Sequence, residues 1–272
     1  MTNTTAQIEA QPKLVALFAS DVHLHPSLPR TTEFFFEFLR MQAHLAEQLY
    51  LLGDLFEYWA GDDDMETAYH QQVIAELKSV SNAGTGLFWM AGNRDFLVGE
   101  RFAKAIGAEL LGDIYTANIA GHAITMTHGD AQCTDDTGYM QFRAMVRQTG
   151  WQEQFLLLPL TERKTIIEGL RKGSKMEQKE KTAAIMDVNP EAIKQLFLDH
   201  HADTLIHGHT HRPARHQHAE GLRYVLPDWE CDIAPEEMRG GWLAIYENGE
   251  IIFHHLNGDT SSSFTPQINT PP

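Results

Sequence analysis

Short apolar runs recur along the chain at 14–19, 49–52, 87–91, 123–127 and 204–206, and each stops abruptly at polar residues. Runs of this length bounded by Gly, Asp, Asn or Ser predict buried strands. The first delivers Asp21 and His23, and the second Gly53 and Asp54. The third delivers Gly92 and Asn93, the fourth His128, and the fifth His207, Gly208 and His209. Between them, Phe35, Phe38, Leu39, Leu45 and Leu49 follow a 3.6-residue period with Glu33 near the expected helix start. Val73, Ile74, Leu77 and Val80 predict a second helix closed by Asn82-Ala83-Gly84. Strands alternating with helices predict an α/β fold, and ligands of such sheets gather at the carboxyl ends of the strands. Strand-like runs return at 222–226, 242–246 and 251–254.

The stretch 133–188 breaks this rhythm with about 55 residues of helical composition, and predicts a helical lid inserted in a single domain spanning 14–258. It holds a compact apolar group, Trp151, Phe155, Leu156, Leu157 and Leu158, then Pro159 as a helix breaker. Residues 163–181 carry seven basic and three acidic side chains, the basic ones being Arg163, Lys164, Arg171, Lys172, Lys175, Lys179 and Lys181. The ends, 1–13 and 259–272, are expected to be flexible tails.

Composition narrows the class. With 272 residues and 43% apolar content, a sizeable core is possible. A formal net charge of −16 argues against general electrostatic binding to nucleic acid, which needs many cations on phosphates. Two cysteines, Cys133 and Cys231, make no disulfide framework, which suits a reducing compartment. No cationic leader with an apolar core precedes the first run, and no stretch of about 18 apolar residues exists. These features predict a cytoplasmic protein, or one lying on a membrane from the cytoplasmic side.

The strand ends read Asp-x-His, Gly-Asp, Gly-Asn-Arg-Asp, His-Gly-Asp and Gly-His-x-His in chain order. Carboxylate, neutral imidazole and amide oxygen form a mixed set that suits Mn²⁺, Fe²⁺ or Zn²⁺. Asp21, His23, Asp54, Asn93, His128, His209 and His211 offer seven ligands, too many for one open site and enough for two ions sharing a carboxylate. Ion pairs of this kind, about 3.5–4 Å apart, activate water and clamp a phosphoryl group. Taken singly, each fragment is an ordinary turn, since Gly, Asp and Asn are turn residues; their ordered combination is what points to a metal centre. His207, directly before the glycine, is expected in the core or behind the ligands. The remaining histidines, and the acidic run Asp62-Asp63-Asp64, are expected to be structural or solvated.

These motifs resemble those of the calcineurin-like metallophosphoesterases. The resemblance narrows to the UDP-2,3-diacylglucosamine hydrolase family through LxGDLFEYWxGDDD at 51–64, GNRDFL at 92–97, HGDxxCTDD at 128–136, AIMDVN at 184–189 and HGHTHRP at 207–213. It implies a sandwich of two β-sheets flanked by helices, with an inserted helical cap. It implies two Mn²⁺ ions, one on Asp21, His23, Asp54 and His211, the other on Asp54, Asn93, His128 and His209. Substrate contacts are implied at Asn93, Arg94, Asp136, Ser174, Gln178, Lys181 and His209, with Asn93, Arg94 and His209 steadying developing charge. The implied reaction splits the pyrophosphate of UDP-2,3-diacylglucosamine into UMP and 2,3-diacylglucosamine 1-phosphate (lipid X) in lipid A biosynthesis. The alternative within the superfamily is a nucleotide or dinucleotide phosphodiesterase.

Arg94 itself carries weight. Many relatives have His after the Asn, able to protonate an alkoxide leaving group. Arginine stays protonated but neutralises phosphoryl oxygens bidentately, which favours a leaving group that departs without a proton, such as a phosphate monoester. The apolar, cationic lid could lie on an anionic membrane surface, the cytoplasmic face of the inner membrane, and admit acyl chains to the cleft.

Overall fold

The computed structural model describes residues 12–178, 187–256 and 260–261. The predicted tails therefore lie, apart from residues 12–13 and 260–261, outside the described residues.

Three strands and their helices open the chain: β1 (Leu14–Ala19), α1 (Pro29–Met41), β2 (Gln48–Leu52), α2 (Ala68–Asn82), β3 (Gly86–Met90) and α3 (Glu100–Ile106). Then come β4 (Ala108–Leu111), β5 (Ile114–Ile119) and β6 (His122–Thr127). The inserted segment forms α4 (Thr137–Val146), α5 (Thr149–Leu156) and α6 (Leu160–Gln178). After α7 (Pro190–His200) follow β7 (Thr204–His207), β8 (Ala214–Gln217), β9 (Leu222–Val225), β10 (Gly241–Tyr246), β11 (Ile251–His255) and β12 (Thr260–Ser261). One sheet runs in the order β12-β11-β10-β1-β2-β3-β4 and the other β5-β6-β7-β9-β8. β1, β2, β3 and β4 are parallel, as are β6, β7 and β9, so five polar strand ends point the same way within their sheets.

The strands read as unbroken apolar runs because both faces are buried. Successive side chains alternate between them. Ala16, Phe18, Tyr50, Leu52 and Met90 face the second sheet and meet Ile124, Met126, Ile206 and Tyr224. Leu17, Ala19, Leu49, Leu51, Leu87 and Trp89 face the helical layer of α1, α2 and α3. Phe18, Tyr50 and Phe88 stack across three adjacent strands with ring centroids 5.0 and 4.7 Å apart. The other face of the second sheet is covered by α7 through Ile193, Leu196 and Phe197.

Two expectations need correction. The period from Phe35 to Leu49 does not mark one helix: α1 stops at Met41, Leu45 ends a short 3₁₀ turn with its side chain exposed, and Leu49 belongs to β2. Ala43 and Ala46 are the residues buried there, so the spacing at Leu45 was fortuitous. The acidic run is not merely solvated either: Asp63 is exposed, yet all three carboxylates have partners. Asp62 accepts from the N–H groups of Gly99 and Phe102, both at 3.0 Å, and so caps α3. Asp63 pairs with Arg163 of α6, and buried Asp64 lies 2.6 Å from Lys164 Nζ.

Those pairs dock the lid. Arg163 is buried and also donates to the carbonyls of Ala60 and Leu158. Trp151 stacks on Phe155 at 4.9 Å, and Phe155, Leu158, Ile166 and Ile167 join the helix-facing core. Much of the lid's apolar group is therefore adhesive, while Leu156 (42% exposed) and Leu157 (79%) face outward. Among the described residues no helix is long and apolar enough to cross a membrane.

Candidate metal centre

The loops that end β1, β2, β3, β6 and β7 converge between the two sheets, and with them all seven residues expected to bind metal. Asp21 and Asp54 are buried at 0% and 1%, and His128 at 1%. Asp21, His23 and His211 bring one donor atom each within 4.8 Å of one another, as do Asp21, Asp54 and His128. Nε2 of His23 and of His211 lie 3.2 Å apart, and His211 Nε2 is 3.3 Å from Asp21 Oδ1. The Asn93 amide oxygen sits 3.0 Å from His128 Nε2 and 2.9 Å from His209 Nδ1, which draws the β3, β6 and β7 loops together. Asp21 belongs to both of these groups, and Asp54, which the family resemblance makes the shared carboxylate, belongs to the second. Asp54 is also engaged by Arg94, whose backbone N–H donates to Oδ1 at 2.8 Å and whose Nε lies 3.3 Å from Oδ2.

The backbone is bent to make this possible. Asp21, His23, Asp54, His209 and His211 all have positive φ, between 53° and 68°, a conformation L side chains rarely adopt. Strain of this kind persists only where the surroundings fix it, and it clusters at functional sites. Two glycines leave the room required. A Cβ on Gly92 would lie 2.1 Å from Asp54 Oδ1, and one on Gly208 would lie 2.1 Å from Asp21 Oδ2.

Supporting groups orient the donors. His128 Nδ1–H donates to the Leu52 carbonyl at 2.8 Å, which presents Nε2 to the cluster. Ser20 Oγ and the His209 N–H donate to Asp21 Oδ2 at 2.6 and 2.9 Å. Asp228 Oδ2 is 3.4 Å from His211 Nδ1 and is held by Arg239. Buried Asp95 accepts from the N–H groups of Gly92, Leu55 and Asp54 at 2.7, 2.8 and 3.2 Å and so locks the β2 and β3 turns together.

The electrostatics are those of a site built around cations. Burial raises Asp54 to about 7, only partly offset by His128 and Arg94. Asp21 goes the other way: burial disfavours its charge, but His211 beside it and the other nearby imidazoles hold it well below the usual carboxylate range. Burial pushes His209 down to about 4 and His23 well below its ordinary value, leaving both neutral as metal ligands must be. His128 is buried too, yet the carboxylates of Asp54, Asp21 and Asp130 raise it. Asp21 Oδ1 and His23 Nδ1 are buried without a hydrogen-bond partner among the described residues. Orphaned donors of this kind among carboxylates and imidazoles fit divalent transition metals.

The substrate-contact expectations divide. Asn93, Arg94 and His209 lie in the cluster. Asp136 is half-buried and caps α4 by accepting from Tyr139 N–H at 3.0 Å. Ser174 and Gln178 belong to the last turns of α6, with side chains outside the described set; Lys181 lies outside the described residues altogether. His207 is buried behind the ligands, with Nδ1 on the Gly208 carbonyl at 2.9 Å and Nε2 3.0 Å from Arg223. Glu57, Asp95 and Asp130 stand within the motifs but were not singled out, whereas Asp228 carried no signal that would have selected it.

Two packed sheets with parallel strand ends that deliver a mixed acid, imidazole and amide cluster define a metallophosphoesterase. The sequence profile of the calcineurin-like phosphoesterases matches residues 14–213, and the chain belongs to that family. Among its relatives, the UDP-2,3-diacylglucosamine hydrolase of Aromatoleum aromaticum is 47% identical over 221 residues, covering 80% of this chain and 90% of that protein. Proteins of the same name from Chromohalobacter salexigens and Tolumonas auensis are 46% and 40% identical, over 79% and 81% of this chain and 89% and 91% of theirs.

Proposed function

We propose that the chain hydrolyses the pyrophosphate bond of UDP-2,3-diacylglucosamine, giving UMP and 2,3-diacylglucosamine 1-phosphate, a step of lipid A biosynthesis. The names of relatives at 40–47% identity support the substrate. The observation that carries the chemistry is Arg94 beside Asn93, with its guanidinium at the edge of the donor cluster and 3.3 Å from Asp54. A permanent cation there stabilises phosphoryl charge but gives up no proton, so it suits a phosphate leaving group rather than an alkoxide.

Asp21, His23, Asp54, Asn93, His128, His209 and His211 would hold two divalent cations, manganese in our reading. Bound there, such ions supply Lewis acidity toward phosphoryl oxygens and lower the pKa of water. The chain's own contribution is orientation and charge. Arg94, and the Asn93 and His209 side chains, face the position where negative charge grows. Asp136, Ser174, Gln178 and Lys181 are proposed as further contacts to the nucleotide-sugar. The outward Leu156 and Leu157 make the lid's turn the surface proposed to meet an anionic membrane at the cytoplasmic face of the inner membrane. Lys172 is exposed to assist, whereas Arg163, Lys164 and Arg171 are committed to internal pairs.

The deciding experiment incubates purified protein and Mn²⁺ with the lipid nucleotide in oxygen-labelled water. UMP and lipid X in equal amounts, with label in one of them, is the expected result. An intact lipid nucleotide alongside rapid cleavage of a simple phosphomonoester overturns the assignment.

A further inference from the structure

Glu57 lies in the loop after β2, is four-fifths buried at its side chain, and touches three elements of the site at once. Its Oε2 is 2.5 Å from Arg94 NH1 and 3.8 Å from His23 Nδ1, the imidazole nitrogen that lacks a hydrogen-bond partner among the described residues. Its Oε1 pairs with Arg171 NH2, and its backbone carbonyl accepts from Arg171 NH1. Arg171 is carried by α6 of the lid, two turns beyond the Arg163 and Lys164 pairs that dock this helix. One carboxylate thus meets two guanidiniums, so the trio keeps a net positive charge facing the cluster.

We infer that Glu57 is a positioning residue for the hydrolysis: by taking one arm of Arg94 it fixes the guanidinium against the phosphoryl site, and by binding Arg171 it makes that placement depend on a docked lid. Partners that orient charged groups around a metal centre are worth about 10–100-fold in activity when removed. The side chain touches neither leaving group nor nucleophile in this role. The inference rests on Arg94 as the group that faces phosphate.

The test is a double-mutant cycle of Glu57→Gln and Arg94→Met in full-length Mn²⁺-loaded protein. Steady-state rates are read on UDP-2,3-diacylglucosamine and on bis(p-nitrophenyl) phosphate, and hydrogen exchange is read along α6. Glu57→Gln is expected to lower kcat about 10–100-fold, to speed exchange at 163–171, and to cost little more once Arg94 is Met. Glu57→Asp should restore part of the rate. Equal losses from Glu57→Gln with and without Arg94, or a wild-type rate in Glu57→Gln, overturn the inference. Should wild type spare the lipid nucleotide yet cleave the diester, the substrate assignment fails while the cycle on the diester still decides the role of Glu57. If Glu57→Gln does not fold, Arg171→Lys in the same cycle replaces it, and additivity there also overturns the inference.

Discussion

The backbone N–H of His209 donates to the buried carboxylate of Asp21 at 2.9 Å, joining the loop after β7 to the loop after β1 across 188 positions of sequence. Because each loop also carries a second ligand, His211 and His23, this single bond helps place four donors. Metal binding and the closure of the sandwich at this end are therefore linked events.

Metal removal should accordingly weaken the fold. Protein stripped by a chelator is expected to melt lower than protein given Mn²⁺, by about 2.7 kcal/mol at a free ion concentration a hundred times the dissociation constant. In Asp54→Ala and His128→Ala the ion-induced shift and the activity should both vanish. Calorimetry with and without Mn²⁺ checks this, and a full shift in either variant contradicts it.

Gly92→Ala tests the space rather than the charge. The added methyl would press on Asp54 Oδ1 at 2.1 Å and displace both that carboxylate and the Arg94 N–H bound to it. Misplacement of about 1 Å costs roughly 100-fold in rate. Activity should fall by at least that factor while far-ultraviolet circular dichroism stays native; an active Gly92→Ala enzyme would refute the crowding argument.

Buried His207 makes stability depend on pH. Burial and the neighbouring Arg223 charge push it down to about 3, and its two ring nitrogens, one donating to Gly208 and one accepting from Arg223, suit the neutral form alone. A depressed folded-state value means the contribution is complete above the unfolded value near 6.5 and is lost as pH falls toward 3. From pH 6.5 to 5 the loss is about 2 kcal/mol. Urea unfolding of His207→Gln should show a decline smaller by about that amount, and parallel pH curves for wild type and variant would exclude the effect.

Lys164→Met leaves Asp64 buried, with His70 at 4.0 Å as its remaining ion-pair neighbour among the described residues. Removing one partner of a buried pair costs about 3–5 kcal/mol, and less here because Lys164 is part-exposed. The double variant Lys164→Met with Asp64→Asn should recover much of the loss. Chemical denaturation of the three proteins measures it; a double variant as unstable as Lys164→Met would contradict the pairing.

The centre was legible because the ligands follow closely on apolar runs and four of the seven, Asp54, Asn93, His128 and His209, stand next to glycine, so strand and chemistry are announced by the same few residues. The remainder of the fold was quieter. β8 reads Ala-Arg-His-Gln and, among the described residues, is bonded on one side only, to β9, so no apolar alternation marks it. β5 is likewise an edge strand whose exposed positions alternate with partly covered ones. Asp228 was invisible for another reason, and Glu57, though inside the 51–64 motif, showed no role there. Glu57 gains meaning only when α6 folds back from more than a hundred residues away, and Asp228 only when it is brought beside His211. The lid's basic residues misled in the opposite direction: three of those named on α6 serve as internal fasteners to Glu57, Asp63 and Asp64.

Five left-handed backbone conformations at ligand positions imply that the centre works against the thermal robustness of the chain. In a laboratory selection for heat resistance alone, with no demand for turnover, Asp21, His23, Asp54, His209 and His211 should be among the first to drift toward glycine or asparagine. The survivors would be sturdier proteins that had forgotten how to bind an ion.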